Sequence, residues 1–247
     1  MKTRLKKALL AAGFSVQRVP ANLPTGHDLG RDLHLVVGPR PGAVCIDAGA
    51  HVGDFVDLLR GHLPLPQVHA FEPAPDPLAR LRARHAATPG VVIVPAGLSD
   101  REGRLEFNVF DNQALNSFLP MAEGAGATFG GATPRGRIEA PVLRLDDYAD
   151  RAGLAAIDLL KIDTQGYELH VLRGAERLLA GGRVRAVLVE LNFLPLYSGQ
   201  VAAHEVIAHL QARNLHPVDF YEKCRLNPFI GWCTALFARR EPPAGTA

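Results

Sequence analysis

The stretch "AVCIDAGAHVGDFVDLLRGHL", residues 43–63, constrains the fold more than any other part of this chain. It begins as a continuous apolar run with β-branched residues, the pattern of a strand buried on both faces. The run stops at an acid, Asp47, and takes two glycines, Gly49 and Gly53. Apolar residues then resume at helical spacing as Val52, Phe55, Val56 and Leu59. A buried strand, a glycine loop and a helix make the opening unit of an open parallel α/β sheet. In such sheets ligands sit beyond the carboxyl ends of the strands, at the point where strand order reverses.

The same alternation continues along the chain. Strands are expected over 67–73, 91–100, 103–110, 137–145, 157–163 and 184–192. Helices are expected over 52–63, 75–87, 167–182 and 202–214, with a short one behind Asp146 as N-cap. "HPVDFYEK" and "WCTALFARR" read as a closing antiparallel pair. Together these predict a doubly wound, mostly parallel seven-stranded sheet with an antiparallel C-terminal strand pair. Ahead of it, residues 1–39 read as an extension: a basic amphipathic helix over 3–12, then a short alternating strand, "DLHLVVG", over 32–38. The domain proper runs over 40–240, and 241–247 read as a disordered tail. Residues 111–136 show no period and are expected to be a functional loop, with glycine-rich 124–131 as a lid.

Composition narrows the partners. With 27 basic and 25 acidic residues in 247, the formal charge is +2, which gives no general pull toward nucleic acid. No apolar run approaches 18 residues, so no integral membrane association is expected. The three cysteines have no metal-type spacing and read as reduced thiols of a cytoplasmic protein. Expected partners are a small-molecule or glycan acceptor and, at most, a second copy of the chain.

The loop after the first strand decides between two ligands. A dinucleotide calls for G-x-G-x-x-G. Here Asp47 to Gly53 spell D-x-G-x-x-x-G, and a carboxylate at the strand tip repels pyrophosphate. It suits a cationic ligand such as S-adenosylmethionine. The next strand ends in "FEP", and Glu72, 23 residues after Gly49, is placed to accept hydrogen bonds from ribose hydroxyls. The turn Gly97 to Asp100 would then lie near adenine.

These residues resemble the FkbM family of methyltransferases. "VCIDAGAHVGDFV", "VHAFEPAPDPLARLR", "VPAGLSDREG", "NSFLP", "VLRLDDYA", "IDLLKIDTQGYELHVLRGAERLL" and "VLVELNFLPLY" occur in the family's order, over roughly residues 40 to 200. The resemblance implies a Rossmann-like class I methyltransferase fold. It implies S-adenosylmethionine as cofactor and O-methylation of a hydroxyl on a sugar, glycan or glycosylated natural product. It implies a cofactor set of Asp47, Ala48, Gly49, Ala50, Gly53, Phe71, Glu72 and Pro73, with Gly97, Leu98 and Ser99 near the base and Asp163 at the far end. Many members carry Glu where this chain has Gln165. Rival readings are a nucleotide-cofactor oxidoreductase and a binding protein that keeps the pocket without turnover.

Two later strands bring polar groups to the same edge: Lys161 and Asp163 on one, Glu190 and Asn192 on the other. Asp163 and Glu190 are the catalytic candidates. Asp163 is read as general base or as holder of the ligand's ammonium. Asp163, Glu190 and Asn192 together offer three oxygens to Mg²⁺. A lysine–carboxylate pair that only seals the sheet edge is the third reading. His51, Asn116, Ser117 and Asn192 are the candidate acceptor contacts.

Overall fold

The computed structural model describes residues 25–129, 131–226 and 228–240. The expected helix over 3–12 and the tail 241–247 lie outside them. Ten strands are described: β1 Val44–Ala48, β2 Gln67–Phe71, β3 Val91–Val94, β4 Gly97–Leu98, β5 Gly103–Phe110, β6 Pro134–Leu143, β7 Ile157–Ile162, β8 Val184–Asn192, β9 Leu215–Leu226 and β10 Phe229–Arg239. The helices are α1 Leu29–Val37, α2 Asp54–His62, α3 Pro75–His85, α4 Leu145–Arg151, α5 Glu168–Gly174, α6 Glu176–Ala180 and α7 Ala203–Gln211.

Seven strands form one sheet in the order β3-β2-β1-β7-β8-β10-β9. β3, β2, β1, β7 and β8 pair in parallel, and β10 runs antiparallel to both β8 and β9. The strand order reverses between β1 and β7, so the crevice for a ligand opens at their carboxyl ends. A smaller sheet, β4-β6-β5, lies beside it.

Period 2 assigns the strands' faces to two cores. Cys45, Leu159, Ala186 and Leu188 pack with Leu33, Val37, Val56 and Leu59 of α1 and α2. Ile46, Leu160, Ile162, Val187 and Val189 pack with Leu172, Leu178 and Leu210 of α5, α6 and α7. All six residues of β7 are buried, including the charged Asp158 and Lys161.

Four expectations change. The stretch 32–38 is helix, not strand. Asp28 caps it by accepting a hydrogen bond from Arg31 N at 2.7 Å. Leu33 and Val37 face the core one turn apart while Leu35 is 54% exposed, so the residues that alternate like a strand fall on opposite sides of a helix. The expected third strand over 91–100 splits: β3 stays in the large sheet and β4 pairs with β6. The expected helix over 167–182 breaks at Ala175 into α5 and α6. Asp146 does not cap its own helix; Arg144 holds the N-cap position. Its carboxylate instead accepts from Arg177 N at 2.9 Å and Leu178 N at 3.0 Å, capping α6 from another element.

Candidate active site

At the switch point the β1 loop and the β7 tip touch. Asp163 N donates to Ala48 O at 3.1 Å, and Gly49 has φ +80°. A Cβ on Gly49 would stand 2.0 Å from Asp163 O, so only glycine lets the two backbones pass. Gly49 N and Ala50 N both donate to Phe71 O, which ties the loop to β2. A cavity opens over this junction, lined by Gly49, His51, Glu72, Pro73, Gly97, Leu98, Asn116, Phe118 and Asp163, among others.

Glu72 is the buried acid of that cavity. Its Oε2 accepts from His51 N and its Oε1 from Ala74 N, both at 2.8 Å. Burial pushes its pKa up to about 7, against the pull of those two donors. Each oxygen retains a lone pair for a ligand hydroxyl. At the other end Gly97 lies under the Phe118 ring, which a Cβ would meet at 2.5 Å. Two polar atoms of the lining, His51 Nε2 and Asn116 Nδ2, are buried without a hydrogen-bond partner. Such atoms are costly unless a ligand or water completes them.

Lys161 organises the floor. Its Nζ donates to Gly49 O at 2.8 Å and stands 3.0 Å from Asp47 Oδ1 and 3.7 Å from Asp163 Oδ2. Burial works against its charge, but Asp47, Asp163 and Glu190 outweigh that and hold its pKa above the usual lysine range. Asp47 is fully enclosed, and burial raises its pKa while Lys161 opposes the rise. The ion pair is close, yet neither Asp47 oxygen has an aligned hydrogen-bond donor.

A second cavity adjoins the first across Gly49, His51 and Asp163, and continues to Asp54, Phe55, Glu190, Glu222 and Thr234. Glu222 reaches it from a β-bulge. Trp232 faces Cys224 and Thr234 faces Tyr221, which leaves one extra residue on β9, and Glu222 has φ +48°. Burial, with Asp163 and Glu168 nearby, raises the Glu190 pKa well above the usual carboxylate range.

The sequence-predicted residues therefore divide. Gly49, His51, Glu72, Pro73, Gly97, Leu98, Asn116 and Asp163 share the first cavity. Ala50 and Glu190 line the second. Asp47, Ala48, Phe71 and Ser99 are fully buried behind the walls and line neither cavity. Asp47 bears on the loop through Lys161, which donates to Gly49 O. Gly53 sits at φ +92° against His85, where a Cβ would come within 2.5 Å, so its role is helix packing. Ser117, also fully buried, spends its hydroxyl on Gln165 O and Leu119 N. Asn192 lies behind Glu190, to which its Nδ2 donates at 3.4 Å.

Two residues outside the candidate set also shape the site. Glu168 Oε1 accepts from Thr164 N, Thr164 Oγ1 and Gly166 N, and so shapes the turn after β7. Burial raises its pKa to about 7. Gln165 Nε2 donates to Asp163 Oδ1 at 2.8 Å and to Glu190 Oε2 at 3.1 Å. These donors do not fit a Mg²⁺ site at Asp163, Glu190 and Asn192, because N–H groups point where the cation would sit. Among the described residues no group of three His, Cys, Asp or Glu is placed to hold a metal.

The strand order, the glycine loop and the acid at the β2 tip define a class I S-adenosylmethionine-dependent methyltransferase. Within that class, the chain belongs to the family of the methyltransferase FkbM domain, whose model matches residues 47–216. It is 35% identical over 189 residues to the 31-O-demethyl-FK506 methyltransferase FkbM of Streptomyces tacrolimicus, covering 66% of this chain and 71% of that protein. Over 157 residues it is 35% identical to methyltransferase sdnD of Sordaria araneosa, covering 53% of this chain and 60% of that one. Identity to the 2-O-methyltransferase NoeI of Sinorhizobium fredii is 26% over 174 residues, covering 68% and 71%. The match to sdnD thus spans less than two thirds of that protein's length.

Proposed function

We propose that this protein methylates a hydroxyl of a sugar, glycan or glycosylated natural product, with S-adenosylmethionine as donor. The observation that carries the reading is the meeting of the two cavities at Gly49, His51 and Asp163. The first ends on a buried carboxylate suited to ribose, and the second leads acceptor hydroxyls to Asp163. Two relatives carry O-methylation in their names, FkbM and NoeI.

The first cavity fits the donor: Glu72 would take the ribose hydroxyls, Pro73, Leu98 and Phe118 the base, and the Gly49 backbone the amino-acid tail. When bound, that cofactor supplies an electrophilic methyl group. The chain supplies the rest. Asp163, whose side chain is 44% exposed, faces both cavities and accepts the acceptor's hydroxyl proton on a carboxylate oxygen. A positioned base contributes about 10²–10⁴-fold and alignment of the reactants the larger share. Phe107 and Phe118 give the first cavity an apolar wall. Asp54, Glu222 and Thr234 offer polar contacts to a hydroxyl-rich acceptor, and the two carboxylates disfavour an anionic one. Every residue invoked belongs to a single chain.

Among the described residues no helix is long and apolar enough to cross a membrane. The test is thermal melting with ligand, followed by transfer from labelled donor to a panel of neutral p-nitrophenyl glycosides. S-adenosylhomocysteine should raise the melting temperature and NAD should not. Stabilisation by NAD alone would sink the reading, and cofactor binding with no transfer to any hydroxyl acceptor would leave a binding protein.

A further inference from the structure

Gln165 joins the two outer carboxylates. It adopts φ +56°, a conformation uncommon outside glycine and asparagine, in the turn after β7. The Ser117 hydroxyl donates to its backbone oxygen at 2.7 Å. The Tyr197 hydroxyl shares its hydrogen between Gln165 Oε1 at 3.0 Å and Leu115 O at 3.1 Å. The amide orientation follows from chemistry: turned over, its oxygen would face two carboxylates. Nε2 therefore stands between Asp163 and Glu190 and gives one hydrogen to each. A hard divalent cation would occupy the same place, drawing the same two oxygens inward.

We propose that Gln165 is a positioning residue that bridges Asp163 and Glu190 in the place of a divalent cation, so that the carboxylate pair serves methyl transfer without metal. The proposal rests on Asp163 being the group at the transfer centre. A glutamate at position 165 would put a third carboxylate beside the other two and create the oxygen set that hard cations bind.

The experiment compares the wild-type chain with Gln165→Glu and Gln165→Met, each saturated with S-adenosylhomocysteine. Mn²⁺ binding is measured by calorimetry. Gln165→Glu should bind Mn²⁺ at least tenfold more tightly than the wild type or Gln165→Met, and a second change, Asp163→Asn, should abolish the gain. On the glycoside found by the panel, Gln165→Met should lower kcat at least tenfold with KM within threefold, and wild-type turnover should survive EDTA. Three results would each overturn the proposal: wild-type Mn²⁺ binding that Asp163→Asn removes, equal Mn²⁺ binding by all three proteins, or an unchanged kcat in Gln165→Met. If Gln165→Glu does not fold, the wild-type and Gln165→Met measurements decide. A wild-type chain that binds no S-adenosylhomocysteine refutes the methyltransferase reading itself, whereas the Mn²⁺ comparison on the ligand-free proteins still judges the bridge.

Discussion

Glu72 joins burial, protonation and ligand binding in one side chain. Its pKa is about 7 in the folded chain and 4.5 as a free side chain. The folded state therefore holds the proton more tightly. Between about pH 4.5 and 7 the stability of the ligand-free protein falls as pH rises, and the loss is complete above 7. Glu72→Gln should flatten the decline in melting temperature between pH 5 and 8. The flattening will be partial, because Glu168, also near 7, carries the same sign. The same change should weaken S-adenosylhomocysteine at least tenfold by calorimetry, since a hydrogen bond to a charged group contributes about 1.5–3 kcal/mol. Undiminished affinity would remove Glu72 from the ligand's surroundings. Gly49 makes a second residue-scale case. Gly49→Ala meets a backbone oxygen at φ +80° and has no side chain to push aside. It should lower stability by at least about 2 kcal/mol in urea unfolding and abolish cofactor binding.

At the scale of elements, α6 depends on a side chain from α4. Asp146 is 1% exposed and satisfies two backbone N–H groups that α6 would otherwise leave open. Asp146→Ala should cost about 1–2 kcal/mol, read as a lower urea midpoint at constant slope. A change below about 0.3 kcal/mol would show that solvent caps α6 equally well. The sequence marks Asp146 as a cap through its residue type and its position at the start of a short helical stretch. It does not mark which helix is capped, because the α4–α6 contact is set by packing across 30 residues. The break at Ala175 has a similar origin. A Cβ on Gly174, the last residue of α5, would lie 1.9 Å from Ser99 O, so only glycine lets the helix end pass the loop after β4 beside the break. Helical spacing persists through 167–182 and conceals the break. The stretch 32–38 errs in the opposite direction: Leu33, Leu35 and Val37 alternate as in a strand, but Leu33 and Val37 are also one helical turn apart and share a face.

For the whole molecule, Asp47 and Lys161 connect the two halves of the sheet at its switch point. Lys161→Met would leave Asp47 buried without a counter-charge and should destabilise the fold by about 3–5 kcal/mol. Adding Asp47→Leu should recover most of that loss, as apolar replacements of buried ion pairs often do. A double variant as unstable as the single one would show that Asp47 has other essential partners. The sequence by itself determined the sheet: apolar runs, glycine loops and helical spacing are local signals, and they specify seven strands, their mostly parallel sense and the ligand edge. It also determined that Gly49 and Glu72 stand at neighbouring strand tips. Only the tertiary structure decided which acids face the cavity. Asp47 and Glu72 look alike in sequence, yet Lys161 arrives from β7 to enclose one, while backbone donors leave the other open to the cavity. Gln165 becomes a bridge only when β7 and β8 bring Asp163 and Glu190 within reach of one amide. The reason is the reach of the information: strand and helix are written in neighbours along the chain, whereas burial and charge pairing are set by residues more than twenty positions apart.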